Sequence, residues 1–294
     1  MSVDWLARRI TGYAHQGGAL EAPASSMFAM SNAKQLGLGG LELDVHRSSD
    51  GVLVVFHDDR VDRTTAHRGL VSRLTWDELS KMDNAYWYMQ DRGVVSQANE
   101  LDMDFCYRGR APFDQQFAIL RFDEVLDSFP QMLINVDIKN SHQNSNPYEH
   151  QVLRELEKAN ALERTIIASF NELSLAVVRE ELPEMSTSAG PSEISEFYFA
   201  LRSSRQEALD VASSSPYVAF QIPRYYGEIE LATKEFIDTA HEAGKAIHVW
   251  TIDDANDMNS LIDLGIDAIM SDRPSVLAEL LRDRGISYNY MVAN

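Results

Sequence analysis

At 294 residues, 45% of them apolar, the chain has the length of one large domain or two ordinary ones and enough apolar side chain to bury a substantial core. Its 26 Lys and Arg stand against 45 Asp and Glu, and a net charge of -19 argues against nucleic acid or an anionic membrane as the main partner. The single cysteine, Cys106, excludes an internal disulfide and a cysteine-based zinc site; with no signal-peptide pattern in MSVDWLARRITGYAH and no long apolar run, the expectation is a cytoplasmic protein without stable membrane insertion.

A short strand is expected at Thr11 to His15, followed by QGGALEAP with Pro23 in the first turn of a helix. Ala29, Met30, Ala33 and Leu36 recur at helical spacing, and the glycines of GLGG end that helix. The next stretch, LELDVHRSSDGVLVVFHD from Leu41 to Asp58, carries the densest chemistry. Strand side chains alternate faces, so Leu41, Leu43 and Val45 share one face while Glu42 and Asp44 share the other, roughly 7 Å apart. Two adjacent carboxylates repel unless one keeps its proton or a divalent cation sits between them, the bland alternative being the solvated face of an edge strand. His57 ends the apolar VVF run, and an imidazole beside a metal is a natural proton donor or acceptor. Ser49-Asp50-Gly51 has turn composition. A hairpin there is expected to separate Asp44 from His57, so the connection is read as extended and the third strand as parallel.

From Asp59 to Phe117 the short alternation of strand and helix breaks down. Thr75-x-x-Glu78 is a capping box for a helix through Met82, surrounded by Tyr86, Trp87, Tyr88, Phe105 and Tyr107, so residues 60–117 read as an inserted subdomain with a small core of its own. A helix is expected from Leu120 to Phe129. In the strand Leu133 to Lys139, Asn135, Asp137 and Lys139 share a face, repeating the logic of Glu42 and Asp44 with a cation added. The remaining pattern is a helix from Pro147 to Leu162, a strand at Thr165 to Phe170, and a helix N-capped by Asn171 that Pro183 ends. A weak strand at Ser186 to Gly190, a helix from Pro191 to Arg202 and a strand at Tyr217 to Ile222 come next. Two helix and strand pairs close the chain, ending in a helix from Pro274. Eight or nine strands alternating with helices, and no dinucleotide glycine motif, favour a closed (β/α)8 TIM barrel over residues 1–294. Its functional residues should lie at the C-terminal mouth, where His15, Glu42, Asp44, His57, Asp137, Lys139 and Trp250 fall at strand ends. Trp250 could pack the barrel top or line the substrate pocket. Asp272 is expected to cap the final helix, Arg63 and Thr64 to hold the start of the insertion, and His46, His67, His142, His150, His241 and His248 to be structural or surface residues.

His15-Gln16-Gly17-Gly18, Glu42-Leu43-Asp44, Asp50-Gly51 with Val54 to Asp58, Arg63-Thr64-Thr65, Asp137-Ile138-Lys139, Val249-Trp250-Thr251 and Ser271-Asp272-Arg273-Pro274 follow one another in an order and spacing that resemble the glycerophosphodiester phosphodiesterase family. The resemblance implies a TIM barrel with an insertion after the third strand. It also implies Mg2+ or Ca2+ on Glu42, Asp44 and Asp137, His15 and His57 as the acid/base pair, Lys139 on the phosphate, and a small-molecule phosphodiester as partner. Within that frame His57 is the base and His15 the acid, with Gln16 and Trp250 as further substrate-binding residues. Gln16 stands where the family has Arg, and Ala24-Ser25-Ser26 where it has Glu-Asn-Thr. The first change removes a guanidinium that would favour a phosphate. The NVDIK strand resembles that of the lysophospholipase D-like branch, which makes lysophospholipid hydrolysis an alternative. Gln16 and Ala24 motivate a third, a barrel that has lost turnover and binds phosphorylated ligands.

Overall fold

The computed structural model describes residues 5–6, 10–95, 105–139 and 147–286. Strands β1 (Thr11–His15), β2 (Gly40–Arg47), β3 (Leu53–Val55), β4 (Leu133–Ile138), β5 (Thr165–Ala168), β6 (Ala219–Pro223), β7 (Ala246–Trp250) and β8 (Ala268–Ser271) form one sheet, with the two-residue strand Leu120–Arg121 pairing antiparallel to β3 as its ninth member. Of β1 to β8, all but β3 run parallel in the order β1, β2, β4, β5, then β6, β7, β8 and back to β1. The gap between β5 and β6 is filled by Thr187 and Ser188, which bridge Ile167 and Ala219 in parallel register, so eight staves close the barrel. The weak strand expected near Ser186 to Gly190 is that fifth stave.

The period-two pattern decides what fills the barrel. Leu41, Leu43, Val45, Ile134, Val136 and Ile138 face outward into the main core under the helices, while Tyr13, Leu133, Ile166, Ala219, Ala246 and Ala268 pack inside with Trp5. Gly40 allows this filling, because a Cβ there would come 2.4 Å from the Tyr13 ring. Above that layer Gln221 Nε2 donates to Asn135 Oδ1 at 2.6 Å, and the polar side chains of β2 and β4 continue upward to the mouth.

The helices are α1 (Met27–Leu36), α2 (Phe122–Ser128), α3 (Glu149–Lys158), α4 (Glu172–Glu181), α5 (Pro191–Ser203), α6 (Arg205–Ser214), α7 (Lys234–Glu242), α8 (Ala255–Leu264) and α9 (Pro274–Asp283), apart from a short turn of helix at Trp76–Leu79. Asn171 caps α4 as expected, and Pro191 and Pro274 open α5 and α9. Ser26 caps α1, its Oγ accepting from Ala29 N at 3.1 Å, so Pro23 lies ahead of the helix rather than in its first turn. The Thr75 and Glu78 capping box is present, but its helix ends at Leu79. Leu120–Arg121 is a short strand ahead of α2, and α3 is shorter than expected at both ends. The additional helix α6 buries only Ala208 and Ala212, too small a stripe to read as a period.

The third strand departs from expectation. β3 pairs with β2 antiparallel, Val45 opposite Val55 and Arg47 opposite Leu53, so Ser49-Asp50-Gly51 is a hairpin turn after all. β2 extends beyond the end of β1, whose register stops at His15 opposite Glu42. The hairpin therefore rises above the barrel rim and returns to it: Phe56 N donates to Asp44 O at 2.9 Å, which sets His57 beside Asp44 instead of a strand length away. The stretch 60–117 follows this hairpin. Its Val61, Val71, Leu79 and Met82 pack with Val54 of β3 and with the flanking Phe56 and Ile119, and a second cluster joins its Ala85, Tyr107, Ala111 and Phe117 to Ala118 and Phe28. Tyr86, Trp87 and Phe105 surround the Arg108 guanidinium, so these aromatics pack among themselves.

Candidate active site at the barrel mouth

A cavity of about 670 Å³ opens at the C-terminal ends of the strands, and His15, Glu42, Asp44, His57, Asp137, Lys139 and Trp250 all line it. Strand register places them. His15 lies opposite Glu42, and Asp44 lies opposite Asp137, so carboxylates separated by most of a hundred residues become neighbours on the inner face. Lys139 Nζ lies 2.8 Å from Asp44 Oδ1 and 2.6 Å from Asp137 Oδ2. The Tyr148 hydroxyl donates to the carbonyls of Val45 and Lys139, fixing the loop start that carries the ammonium.

Lys139 pairs with two of the three carboxylates and the His15 imidazole faces the third, and the balance is incomplete. Asp44 Oδ2 and Asp137 Oδ1 are buried with no hydrogen-bond partner among the described residues. Burial and the charge of Asp44 push the Glu42 carboxyl up to about 7. Burial also lifts Asp137, to about 6, against the pull of Lys139. For Lys139 burial acts in the opposite sense, but Asp44 and Asp137 outweigh it and hold the ammonium firmly charged. Among the described residues no three His, Cys, Asp or Glu side chains already converge at metal-ligand spacing; the ammonium occupies the gap between Asp44 and Asp137. The all-oxygen donor set of Glu42, Asp44 and Asp137, with two buried oxygens unpartnered, nevertheless fits a hard divalent cation.

Each histidine has its own carboxylate. His15 Nδ1 donates to Asp272 Oδ1 at 2.7 Å, and its Nε2 lies 3.8 Å from Glu42 Oε2. Burial would lower this imidazole, but the charge of Glu42 and the bond to Asp272 prevail and push it up to about 9. His57 Nδ1 donates to Asp58 Oδ1 at 2.7 Å, which raises the imidazole despite its burial. Arg63 grips the same carboxylate through Nε at 2.5 Å and Nη2 at 2.9 Å. Burial would raise Asp58; the bonds from His57 and Arg63 overcome it and hold the carboxyl well below the usual range. His46 Nε2 pairs with the His57 carbonyl at 3.2 Å, so its role is to pin the backbone.

Sequence reasoning missed these orienting groups. Asp272 does not cap the final helix, which has Arg273 at its N-cap; it partners His15 instead. Arg63 reaches the site through Asp58, and only the adjacency of Asp58 to His57 hinted at it. His142 lies outside the described residues, and His248 is buried beside Gln221 in the barrel. Gln16 does not line the large cavity. Its backbone N–H donates to Glu42 Oε2 at 3.1 Å, and its amide lies 3.5 Å from His15 Nε2. With Ala24, Ser25 and Thr64 it lines a void of about 10 Å³ beside His57, so the two departures from the family motif meet at one place. Gly18 turns the chain there at φ 107°, where a Cβ would come 2.6 Å from Pro274 Cγ.

The opposite wall of the cavity is apolar. Phe170, Tyr198, Phe199, Tyr226, Ile229 and Trp250 line it, supplied by the β5–α4 loop, α5, a hairpin of Tyr225–Tyr226 with Ile229–Glu230, and β7. Trp250 both lines the cavity and packs edge-on to Phe170 at 5.9 Å. No residue of 60–117 among those described takes part in this wall.

Several known proteins share this architecture. The chain is 28% identical over 279 residues, 92% of its length and 98% of the relative's, to a glycerophosphodiester phosphodiesterase of Caldanaerobacter subterraneus subsp. tengcongensis. Its fold matches the crystal structure of an Agrobacterium tumefaciens glycerophosphodiester phosphodiesterase with TM-score 0.68 at 21% identity, covering 92% of this chain and 99% of the other. An Oleispira antarctica phosphodiesterase, solved in complex with the product sn-glycerol-3-phosphate, matches with TM-score 0.66 at 23% identity, covering 92% and 96%. Residues 15–276 match the model of the glycerophosphoryl diester phosphodiesterase family, and the chain belongs to that family.

Proposed function

We propose that this protein hydrolyses glycerophosphodiesters to glycerol phosphate and an alcohol, with His15 and His57 as the acid/base pair and Glu42, Asp44 and Asp137 as ligands of Mg2+ or Ca2+. The observation that carries the reading is the convergence of two carboxylate-oriented histidines, three inner-face carboxylates and one lysine on a single cavity. Phosphodiester hydrolysis needs charge neutralised at the phosphoryl oxygens, a base for the attacking oxygen and an acid for the leaving alkoxide. A divalent cation at the carboxylates would supply Lewis-acid neutralisation of that charge. Lys139 adds a second positive charge and is placed to meet a phosphoryl oxygen once relieved of one carboxylate. His57, with Nδ1 held by Asp58, has Nε2 left to take a proton. His15, kept protonated by Glu42 and Asp272, gives one to the leaving oxygen. A coupled assay of glycerophosphocholine turnover, with chelator and then with added Mg2+ or Ca2+, tests this reading; no turnover under any of these conditions ends it.

The apolar wall favours a second reading, lysophospholipid hydrolysis. An acyl chain buries far more apolar surface against Phe170, Phe199 and Tyr226 than the small alcohol of a glycerol diester can, at roughly 25 cal/mol per Å². Comparing kcat/KM for lysophosphatidylcholine with that for glycerophosphocholine separates the two.

A further inference from the structure

Large apolar side chains exposed to solvent are unevenly spread. Among the described residues eight are exposed, and six of them, Phe170 (69%), Leu173 (62%), Phe199 (69%), Tyr225 (50%), Tyr226 (73%) and Ile229 (43%), belong to three segments at one side of the mouth. Four line the cavity itself; Leu173 and Tyr225 adjoin them in sequence and lie outside its lining. Contiguous exposed apolar surface of this kind marks an interaction site. Its charge is one-sided: the segments Ser169 to Leu173, Pro191 to Phe199 and Tyr225 to Glu230 contain five Glu and no Lys or Arg. Arg179 pairs with Glu193, and Arg224, whose guanidinium lies 5.3 Å from the Tyr225 ring, pairs with Glu230 and Asp257, while Glu196 and Glu228 stand exposed on the elements that carry Phe199 and Tyr226.

We propose that this aromatic rim docks on a lipid surface whose outward groups are ammonium cations and whose net charge is zero, a phosphatidylcholine-type surface, so that the mouth opens directly onto lipid. Position argues for lipid over protein. A partner protein or a second copy seated on these side chains would cap the cavity they line, whereas a lipid surface leaves the mouth facing a source of diester. Charge argues for the headgroup. Aromatic faces beside carboxylates attract quaternary ammonium groups, and the same carboxylates, on a chain of net charge -19, repel an anionic surface. Docking through a shallow rim needs no spanning segment, and among the described residues no helix is long and apolar enough to cross a membrane. The proposal rests on the mouth being the site of diester hydrolysis.

The test is co-sedimentation of the full chain with pure phosphatidylcholine vesicles and with vesicles containing an anionic lipid, beside turnover of soluble glycerophosphocholine. The wild type is expected to sediment with the first and at least about tenfold less with the second. Leu173→Ser with Tyr225→Ser, outside the cavity lining, should lower sedimentation at least about tenfold and leave soluble turnover unchanged. Both side chains are exposed, Leu173 at 62% and Tyr225 at 50%, so neither serine opens a cavity in the core. Failure of the wild type to sediment, preference for anionic vesicles, or unchanged sedimentation of the double variant each overturns the docking proposal. So does a lipid-free dimer that the double variant disperses. Absent soluble turnover with intact sedimentation would instead overturn the hydrolytic reading and leave the docking surface standing.

Discussion

Asp272 accepts a hydrogen bond from His15 at 2.7 Å across 257 residues of sequence, joining the first barrel strand to the turn after the last. The pair closes the barrel at the mouth and sets the imidazole at once. An Nδ1–H given to a carboxylate fixes the ring's orientation and stabilises its protonated form, which is the form a general acid needs. Asp272→Asn keeps a hydrogen-bonding group of the same size and removes the charge. The expected result is a loss of kcat of about 10- to 100-fold with KM little changed, and Asp272→Glu should restore part of it. Equal loss in both variants, with raised KM, would mean that the residue only supports the loop.

His15→Ala and His57→Ala should each remove most of the rate, and the double variant should be little slower than either. Groups that act in one proton-transfer cycle are grossly non-additive, because the second loss has no working partner left to disable. Steady-state kinetics of the three variants check this. Multiplicative losses would place the two rings in separate roles.

The inner-face carboxylates were legible because a strand's period of two is strict: Glu42 with Asp44 and Asp137 with Lys139 had to share faces wherever the strands lay. The turn before His57 was legible too, in Ser49-Asp50-Gly51, yet a hairpin looked incompatible with a shared site. That objection placed Asp44 at a strand tip, whereas β2 runs three residues past it to Arg47 and the returning strand drops His57 level with it. How far a strand overshoots its neighbours is decided by tertiary pairing, which local pattern does not carry. The same holds for Asp58, Arg63 and Asp272. Their residue types were visible, but Asp272 finds His15 only across the whole chain, and Asp58 and Arg63, though close to His57 in sequence, are aimed at it by the fold of the loop after β3. The apolar wall escaped notice because its side chains arrive one or two at a time from four elements, one of them the Tyr225 to Glu230 hairpin, whose Gly227 was the available turn signal.

Asp44→Asn tests the cation site without deleting bulk. Asp44 Oδ1 meets Lys139 and Oδ2 has no partner among the described residues, so an amide both weakens the lysine contact and replaces a hard anionic donor. Calorimetric titration with Mg2+ or Ca2+ should show affinity reduced about 10- to 100-fold relative to wild type. In the wild type excess chelator should abolish turnover and either ion restore it. Full turnover in chelator by a protein shown to be metal-free would exclude the cation from the reaction.

Stability at the opposite end of the barrel should depend on pH through His241. Its Nε2 donates to Asp267 Oδ2 at 2.7 Å, and the same oxygen accepts from Ile247 N at 2.7 Å, so one carboxylate ties α7 to the start of β7. The hydrogen bond to Asp267 raises the imidazole above its ordinary value of 6.5 against partial burial. A folded value above the unfolded one means that folding favours the protonated ring. The contribution is therefore complete below about pH 6.5 and is lost as pH rises through the folded value. With His241 only partly shielded from solvent, the pair is worth up to ~1 kcal/mol, or about 2 to 4 °C in Tm for a chain of this size. His241→Gln should thus lower Tm at pH 6, and the gap to wild type should narrow steadily toward pH 9. A gap that stays constant over that range would assign the loss to packing of the α7 C-terminus and not to the charge on His241.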